Sequence, residues 1–558
     1  MSIPVKRDAF FIFTEKSKMR KICILLATVF FVSCAKEKLP VDLLVTNATV
    51  YTVDESFSTS EAFVITDGKI VETGTAKDIQ KKYIATETFD AEGKTILPGL
   101  IDAHAHLYGL GSTMQQVDLM GTKSEAEVLE RVVAFQKEKN TNFITGRGWD
   151  QNDWEVKEFP NKRTLDSLFP DTPVALTRVD GHAFWANSKA MEMAGVTART
   201  KMPGGEVVVE NGEPSGILVD TPMRLIRNII PKADEAFNKR ALKDAEAKCF
   251  EMGLTTVSDA GLDRSIIETI DGMQQVGELK IRVYAMVTGN TPNLDFFLKN
   301  GIVKTDRLTV RSFKVYADGA LGSRGAALRE PYSDKEGHFG AMITHVVRLD
   351  ELAKRISNAG FQMNTHAIGD SANYSVLKVY EKHLINKPDA RWRIEHAQVL
   401  HLPHINKFST KIIPSVQPTH ATSDMYWAED RVGPDRIKGA YAYKSLLNSA
   451  GIIALGTDFP VENVNPMYTF YAAVARKDLE NYPEGGYRMK EALSREETLK
   501  GMTIWAAFAN FEEDVKGSLE AGKFADFVVL DTNIMTCEEN DIPNTKVLAT
   551  FVGGEKVY

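Results

Sequence analysis

The alternation of apolar, β-branched runs with stretches at helical spacing constrains the fold of this chain more than any other feature. Eight apolar runs of the sequence end near His104, Asp259, Val287, Asp318, His366, His396, Gln417 and Asp458. Segments such as ALKDAEAKCFEMG, LDELAKRISNAG and YKSLLNSAG lie between some of them, and two of these three close with Ala-Gly, a signal for the end of a helix. Eight strands alternating with helices predict an α/β fold, a (β/α)8 TIM barrel over residues 98–512. A doubly wound parallel sheet is the alternative.

The two ends of the chain have a β-rich pattern. Residues 41–97 contain AFVITDGKIVETG, in which Asp-Gly separates two strand-like runs, and residues 513–558 contain FADFVVLD and VLATFVGGEKVY. We predict that these two segments pair into one small β-sandwich domain. The interval of about 120–240 is too long for a single crossover, so we interpret it as an inserted subdomain over the barrel mouth.

The N-terminal sequence has the pattern of an export signal. Basic residues follow Met19, and an apolar stretch then runs from Ile22 to Val32. This stretch is too short to span a bilayer, which takes about 20 residues. The residues FVSC resemble a bacterial lipobox, in which Cys34 would be lipidated. We therefore interpret residues 1–34 as an N-terminal extension and lipoprotein-type signal, which anchors the protein to a membrane of the bacterial cell envelope through lipid alone. An ordinary signal, giving a periplasmic or secreted protein, is the alternative.

Charge and cysteine content limit the partners and cofactors that we expect. The net charge is -8 over 558 residues and no long basic run occurs, so nucleic acid is not an expected partner. A small molecule is the expected partner. The two cysteines outside the predicted signal, Cys249 and Cys537, have neither metal-ligand spacing nor a disulfide pattern.

Histidines and an aspartate occur where several apolar runs end. In GLIDAHAHLYG, His104 and His106 are two positions apart, so an extended strand directs both imidazoles to one side. Imidazole is the most common metal ligand among side chains. His366, His396 and Asp458 end later runs, and the C-terminal ends of barrel strands meet at one mouth. A single histidine at a strand end is more often structural, but together these residues predict a metal site.

The order of these residues resembles the amidohydrolase superfamily. His-x-His follows the first strand, Lys314 lies on the fourth, histidines lie on the fifth and sixth, and Asp458 follows the eighth. GWDQNDW, DGHAFWANSKA and FKVYADGALGSRGAAL resemble the amidohydrolase 3 branch, the YtcJ-like proteins, which include N-substituted formamide deformylase. The resemblance covers nearly the whole mature chain and implies the same barrel and terminal β-sandwich.

The resemblance also implies the cofactors. It implies two divalent metal ions, with zinc the expected metal, the first held by His104, His106 and Asp458 and the second by His366 and His396. Lys314 would bridge them as a carboxylated lysine, because an ammonium group offers three donors and no acceptor. A paired or snorkelling lysine is the alternative for Lys314.

The resemblance implies hydrolysis of a C–N bond, of amide but not peptide type, by attack of a metal-bridging hydroxide. Asp458 would be the catalytic residue, as general base and then as general acid towards the leaving nitrogen. Trp149 and His182, in the insertion, would bind substrate, although a buried Trp or a lone His is often structural. His420 is either near the pocket or in a surface turn, and Arg324 pairs with a substrate carboxylate or with a loop acid.

Two other functions stay open at the level of sequence. The protein could be a lipid-anchored, non-catalytic binding protein on the same fold. The same site could also hydrolyse esters or cyclic ureas, because pocket shape decides among these substrates. Asp318, in ADGA, is a weaker catalytic candidate and is better interpreted as a turn residue.

Overall fold

The computed structural model describes residues 37–558 of the chain. The predicted signal and Cys34 lie outside the described residues. Within the described part, no helix has both the length and the apolar character needed to cross a membrane.

A parallel sheet of eight strands forms the centre of the molecule, as the sequence predicts. In chain order these strands are β1 (Leu100–Ala105), β2 (Leu254–Leu262), β3 (Arg282–Thr288), β4 (Leu308–Tyr316), β5 (Gln362–Ala367), β6 (Trp392–His396), β7 (Ile412–Val416) and β8 (Ala454–Leu455). Each strand pairs in parallel with the next along the chain. A short strand, Val303–Lys304, is added antiparallel to β4. Sequential parallel pairing excludes the doubly wound alternative, in which the strand order reverses.

The two ends of this sheet meet and bring it close to a closed barrel. The Thr457 amide and hydroxyl, just after β8, both donate to Asp102 of β1, the hydroxyl at 2.7 Å. The Asp458 amide donates to the His104 carbonyl at 2.8 Å. A Cβ atom at Gly456 would lie 2.5 Å from the His104 amide nitrogen, so only glycine allows this approach. This contact brings His104 of β1 close to Asp458, which follows β8.

Helices pack around the barrel strands through apolar faces. Those between or after the strands are Leu107–Thr113, Glu235–Glu251, Arg264–Gln275, Thr291–Asn300, Val346–Asn358, Asp370–His383, Pro418–Asp424, Ala428–Arg436, Tyr443–Ala450, Pro466–Ala475, Arg495–Gly501 and Ile504–Ala509. The predicted Ala-Gly stop is seen at Gly451, which has a φ of 79° and caps its helix. Ser494 and Glu497 begin another helix with reciprocal capping hydrogen bonds. Short 3-10 helices occupy Gln151–Asp153, Leu402–Lys407, Ile437–Gly439, Met489–Glu491 and Glu539–Asn544.

Strands from both termini form two further sheets. One contains, in spatial order, Lys69–Gly74, Ala62–Thr66, Leu39–Thr46 and Tyr83–Asp90, with the helix Ala76–Lys82 beside it. The other contains Glu555–Lys556, Val547–Val552, Phe527–Leu530, Thr95–Pro98, Thr49–Tyr51 and Thr59–Ser60. N- and C-terminal segments pair directly, because Thr95–Pro98 lies antiparallel to Phe527–Leu530. Buried residues from both sheets, Phe63 and Phe527 among them, form a common core.

The long interval after β1 forms a subdomain with its own sheet. Its strands are Val117–Asp118, Ile144–Trp149, Val174–Arg178, Ala183–Ala186, Gly205–Glu210 and Glu213–Asp220. Its helices are Glu125–Lys139, Lys162–Leu168, Ser188–Met193 and Met223–Arg227. Two apolar clusters separate from the barrel core stabilise it. The insertion predicted from the sequence is therefore a separately packed unit.

Candidate metal centre

The carboxyl ends of the barrel strands surround a cavity of about 400 Å³. All six residues predicted as metal ligands line it, namely His104, His106, Lys314, His366, His396 and Asp458. The cavity also receives His420, from the helix that follows β7. The strand ends thus bring together residues that are more than 350 positions apart in the sequence.

The first compact group of donor atoms consists of His104, His106 and Asp458. Their ligand atoms all lie within 4.8 Å of one another. Asp458 Oδ1 is 3.1 Å from His106 Nε2 and 3.5 Å from His104 Nε2. The backbone fixes this arrangement, since the His106 amide donates to the Phe459 carbonyl at 2.8 Å.

The second compact group consists of His396, His420 and Asp458. Asp458 Oδ2 lies 3.7 Å from His420 Nε2, so the same carboxylate faces both groups. His366 lies beside this group with its ring centroid 4.5 Å from that of His396. The structure therefore places the predicted pair of His366 and His396 together, and it adds His420, which the sequence left open.

Two of these residues have a strained backbone. His396 has a φ of 72° and Asp458 a φ of 66°, both in the left-handed region that favours glycine. Such a conformation costs about 1–3 kcal/mol per residue and tends to occur at active sites and ligand clamps. His396 is the last residue of β6 and Asp458 follows β8, and both side chains line the cavity.

Lys314 lies inside the barrel with 1 % of its surface exposed. Its Nζ is 3.0 Å from His104 Nε2, directly beside the first donor group. Burial lowers the pKa of Lys314 to about 8, although the carboxylates of Glu395 and Asp458 oppose the shift. The shift favours the neutral amine, which is the nucleophilic form of lysine.

A buried carboxylate behind the site orients His104. Glu395 Oε2 is 2.5 Å from His104 Nδ1, and both side chains are fully buried. His104 Nδ1 donates to this carboxylate, which leaves the lone pair of Nε2 facing the donor group. Although burial favours the neutral acid, Arg393 and His104 hold the pKa of Glu395 below its ordinary value.

Arg393 supports Glu395 from within the barrel. Its Nε lies 2.7 Å from Glu395 Oε1. The same guanidinium donates to Ser415 at 2.8 Å and to Asn510 at 3.1 Å. Neither Arg393 nor Glu395 is among the residues predicted from the sequence. The available signal was WRIEH, where two charged residues at alternate positions of an apolar strand share one face.

Two other buried aspartates shape the site through the backbone. Asp102 accepts from the Thr457 hydroxyl and from the His104 amide, the latter at 3.0 Å. Asp318 accepts backbone hydrogen bonds from Ile368, Gly369 and Ala327 at 2.8–2.9 Å. Burial raises the pKa of each aspartate to about 7. Asp318 thus joins the ends of β4 and β5, a role close to that of the turn residue expected from the sequence.

Several atoms in the cavity have no hydrogen-bond partner among the described residues. They are Asp458 Oδ1, His366 Nε2 and His420 Nε2. Buried polar atoms are normally paired, so this concentration of free lone pairs at one place fits a cation-binding site. Imidazole nitrogens and a carboxylate oxygen are the ligands that zinc takes at catalytic sites. Despite burial, His106 and the other nearby histidines keep the pKa of Asp458 below its ordinary value.

The structure does not bring Trp149 and His182 to this cavity. Trp149 is fully buried in the core of the insertion, where its Nε1 donates to the Leu176 carbonyl at 2.9 Å. The His182 side chain is 73 % exposed and pairs with Asp220 at 2.7 Å. His182 lines a different cavity, on the insertion. Their predicted roles in substrate binding receive no support from these positions.

Arg324 pairs with a loop acid. Its guanidinium donates to both carboxylate oxygens of Asp334, at 2.7 and 3.0 Å. Of the two possibilities considered from the sequence, the structure shows the second.

The family of the protein follows from sequence comparison. The sequence model of the Amidohydrolase family, Amidohydro_3, matches residues 87–558. The chain belongs to this amidohydrolase family. The match includes every predicted ligand and the whole barrel, so the donor groups described above lie within the family's own domain.

Individual relatives agree with this assignment. This amidohydrolase is 34% identical to the protein LONG AFTER FAR-RED 3 of Arabidopsis thaliana, over 93% of this chain and 91% of that one. It is 32% identical to YtcJ of Bacillus subtilis (91% and 98%) and 27% identical to N-substituted formamide deformylase of Arthrobacter pascens (93% and 98%). These matches confirm the resemblance to YtcJ-like proteins.

The fold has a counterpart among solved structures. An uncharacterized metal-dependent hydrolase from Pyrococcus horikoshii superposes with a TM-score of 0.72 at 28% identity, covering 89% of this chain and 99% of that one. The TIM-like barrel predicted from the sequence is thereby confirmed. Family membership identifies the protein as a hydrolase whose His and Asp donor groups suit a divalent metal ion.

Proposed function

We propose that this amidohydrolase is a metal-dependent enzyme that cleaves a C–N bond of amide type, outside peptides, in a small molecule. The observation that carries the proposal is the convergence of five histidines, Lys314 and Asp458 on one cavity of about 400 Å³. A cavity of this size suits a small molecule rather than a polymer. The similarity to N-substituted formamide deformylase supports a C–N bond as the target.

Two groups of residues would hold metal ions. His104, His106 and Asp458 would hold the first, and His396 with either His366 or His420 would hold the second. When bound, divalent cations lower the pKa of a water molecule and polarise the substrate carbonyl. Glu395 keeps His104 in the tautomer whose Nε2 can act as a ligand.

Asp458 is the residue we assign to proton transfer. Its carboxylate stays ionised at neutral pH and has one oxygen facing each donor group. It is therefore placed to take the proton of the attacking water and to deliver that proton to the leaving nitrogen. An amine leaves poorly without a proton, so the second transfer determines whether the C–N bond breaks.

Lys314 would become an anionic ligand by carboxylation. Its neutral amine nitrogen forms an N–C bond to carbon dioxide and releases a proton, which gives a carbamate with two oxygen acceptors. The position of Nζ, 3.0 Å from His104 Nε2, supports this role. An uncharged or anionic side chain is also better suited to that place than an ammonium group beside cations.

A substrate panel on zinc-loaded protein tests the proposal. The panel contains N-formyl and N-acyl amines, N-acyl amino acids, cyclic ureas and esters. We expect hydrolysis of at least one amide, lost in Asp458→Asn. Hydrolysis of esters or cyclic ureas alone would contradict the amide assignment. Saturable binding without turnover of any compound would favour the non-catalytic binding protein.

We also propose that the mature protein is a lipoprotein of a bacterial cell envelope, anchored through Cys34. The sequence FVSC after an apolar stretch supports this. Cys34→Ser should release the protein from the membrane fraction, whereas Cys23→Ser, inside the signal, should not. A mature N-terminal peptide whose intact mass lacks acyl chains would contradict the proposal and favour a periplasmic or secreted protein.

A further inference from the structure

Besides the donor atoms, the cavity has an apolar wall and an acidic side. The wall is formed by Tyr316, Leu321, Ile368, Trp427 and Val461. Asp424 and Glu462 supply the acidic side. The wall includes two aromatic rings, so it suits an apolar or aromatic substrate body.

Hydrogen bonds hold both acidic side chains in place. Glu462 Oε1 accepts from the Ser423 hydroxyl at 2.7 Å and lies 3.9 Å from His420 Nε2. Asp424 Oδ2 accepts from Gln398 at 3.0 Å and from Tyr441 at 2.8 Å. The Glu462 carboxylate is thus fixed beside a member of the second donor group, where a bound substrate has to lie.

Apart from the metal ions proposed above, the described residues that line this cavity offer no positive group for a substrate carboxylate. They include no arginine, and their one lysine is Lys314, whose Nζ lies beside His104 in the donor group. Arg324 and Arg431 are close in the chain to lining residues, but both pair with Asp334. Neither guanidinium is free to receive a substrate carboxylate.

We propose that the site selects uncharged amides with an apolar or aromatic body and discriminates against N-acyl amino acids that carry a free carboxylate. This inference rests on the proposed C–N hydrolysis. The apolar wall favours the substrate body, while Glu462 repels a carboxylate held close to the reacting bond. Repulsion between like charges about 6 Å apart, at an effective dielectric constant of about 40, corresponds to about a tenfold difference in kcat/KM.

A matched pair of substrates tests this selection on the zinc-loaded, full-length protein. N-formyl-2-phenylethylamine and N-formylphenylalanine differ only in the carboxylate. We expect the wild-type kcat/KM to be at least about tenfold higher for the uncharged compound. Glu462→Gln should reduce this ratio about fivefold or more, because it removes the charge and keeps the shape. Glu429→Gln, an exposed position near Trp427, is the control and should preserve the ratio.

The outcomes separate this inference from the proposed function. If neither compound, nor any other amide of the panel, is hydrolysed, the proposed function is wrong. If both are hydrolysed at similar rates, or the carboxylate compound faster, the enzyme is an amidase but the selection is refuted. A ratio that Glu462→Gln leaves unchanged would refute Glu462 as the residue that determines it.

Discussion

Glu395→Gln is the substitution that tests how the barrel prepares its metal ligands. Glu395 Oε2 accepts from His104 Nδ1 at 2.5 Å and from Arg393 Nη2 at 3.0 Å, and Oε1 lies 2.7 Å from Arg393 Nε. Gln has a single acceptor oxygen and a donor amide group. Donor groups face both carboxylate oxygens. The amide group of the variant, which is also a donor, must therefore lie against either His104 Nδ1 or Arg393 Nε.

Two separate losses follow from this change. If His104 is no longer fixed in its tautomer and orientation, zinc affinity should fall about 10- to 100-fold, which is about 1.4–2.7 kcal/mol. Arg393, fully buried, also loses its carboxylate partner. Removing one partner of a buried ion pair costs about 3–5 kcal/mol of stability. The variant should therefore bind zinc more weakly and also unfold more easily.

Glu512→Gln separates these two effects. Glu512 is also a buried carboxylate, 2.7 Å from Lys516 and hydrogen-bonded to Thr309, but it does not line the cavity. It should lose a similar free energy of unfolding without losing zinc affinity. Competition with a chromogenic chelator measures the zinc dissociation constant, and denaturant unfolding of the metal-free proteins measures stability.

The zinc affinities of the two variants can refute this reasoning. If Glu395→Gln binds zinc within twofold of the wild type, or if Glu512→Gln weakens binding as much, Glu395 is only a stability residue. His104 would then be held by its backbone contacts to Asp458 and Asp102.

Two further substitutions address the roles of Asp458 and Lys314. Asp458→Asn should lower kcat by about 10³ or more in steady-state assays, because it removes both proton transfers, while the exposed Asp430→Asn should not; a folded Asp458→Asn protein with most of its activity would place the base elsewhere. Lys314→Ala should lose the metal pair and nearly all turnover, with partial recovery when zinc is supplied with acetate or propionate. Lys516→Ala, another buried lysine, should keep its metal content. Two bound metals and normal turnover in Lys314→Ala without added acid would refute the carboxylated bridge.

The fold could be predicted in detail because it depends on patterns that repeat along the chain. Each barrel strand is an apolar run followed by a helical pattern, and sequential parallel pairing then fixes their neighbours. Pairing between Thr95–Pro98 and Phe527–Leu530 was also predictable, since both ends of the chain are β-rich. The placement of the insertion relative to the cavity could not be predicted, because it depends on contacts between separate apolar cores.

Most of the predicted ligands share one property, which is why the sequence alone indicated them. His104, His366, His396 and Asp458 all lie within about three residues of the end of a barrel strand, and the topology brings strand ends together. His420 lies in a helix after β7, and its position depends on how that helix packs. Glu395 and Arg393 lie inside a strand, and the sequence of that strand does not indicate their partners in β1. Arg393, for example, donates to the carbonyl of Ala103, 290 positions away.

Metal content of the active protein tests the central claim most directly. Elemental analysis of purified, active enzyme should show close to two zinc or other divalent ions per chain. Chelation should abolish hydrolysis of the best amide, and zinc or manganese should restore it. A fully active protein that contains no bound metal would contradict the assignment of these residues as ligands, and with it the proposed chemistry.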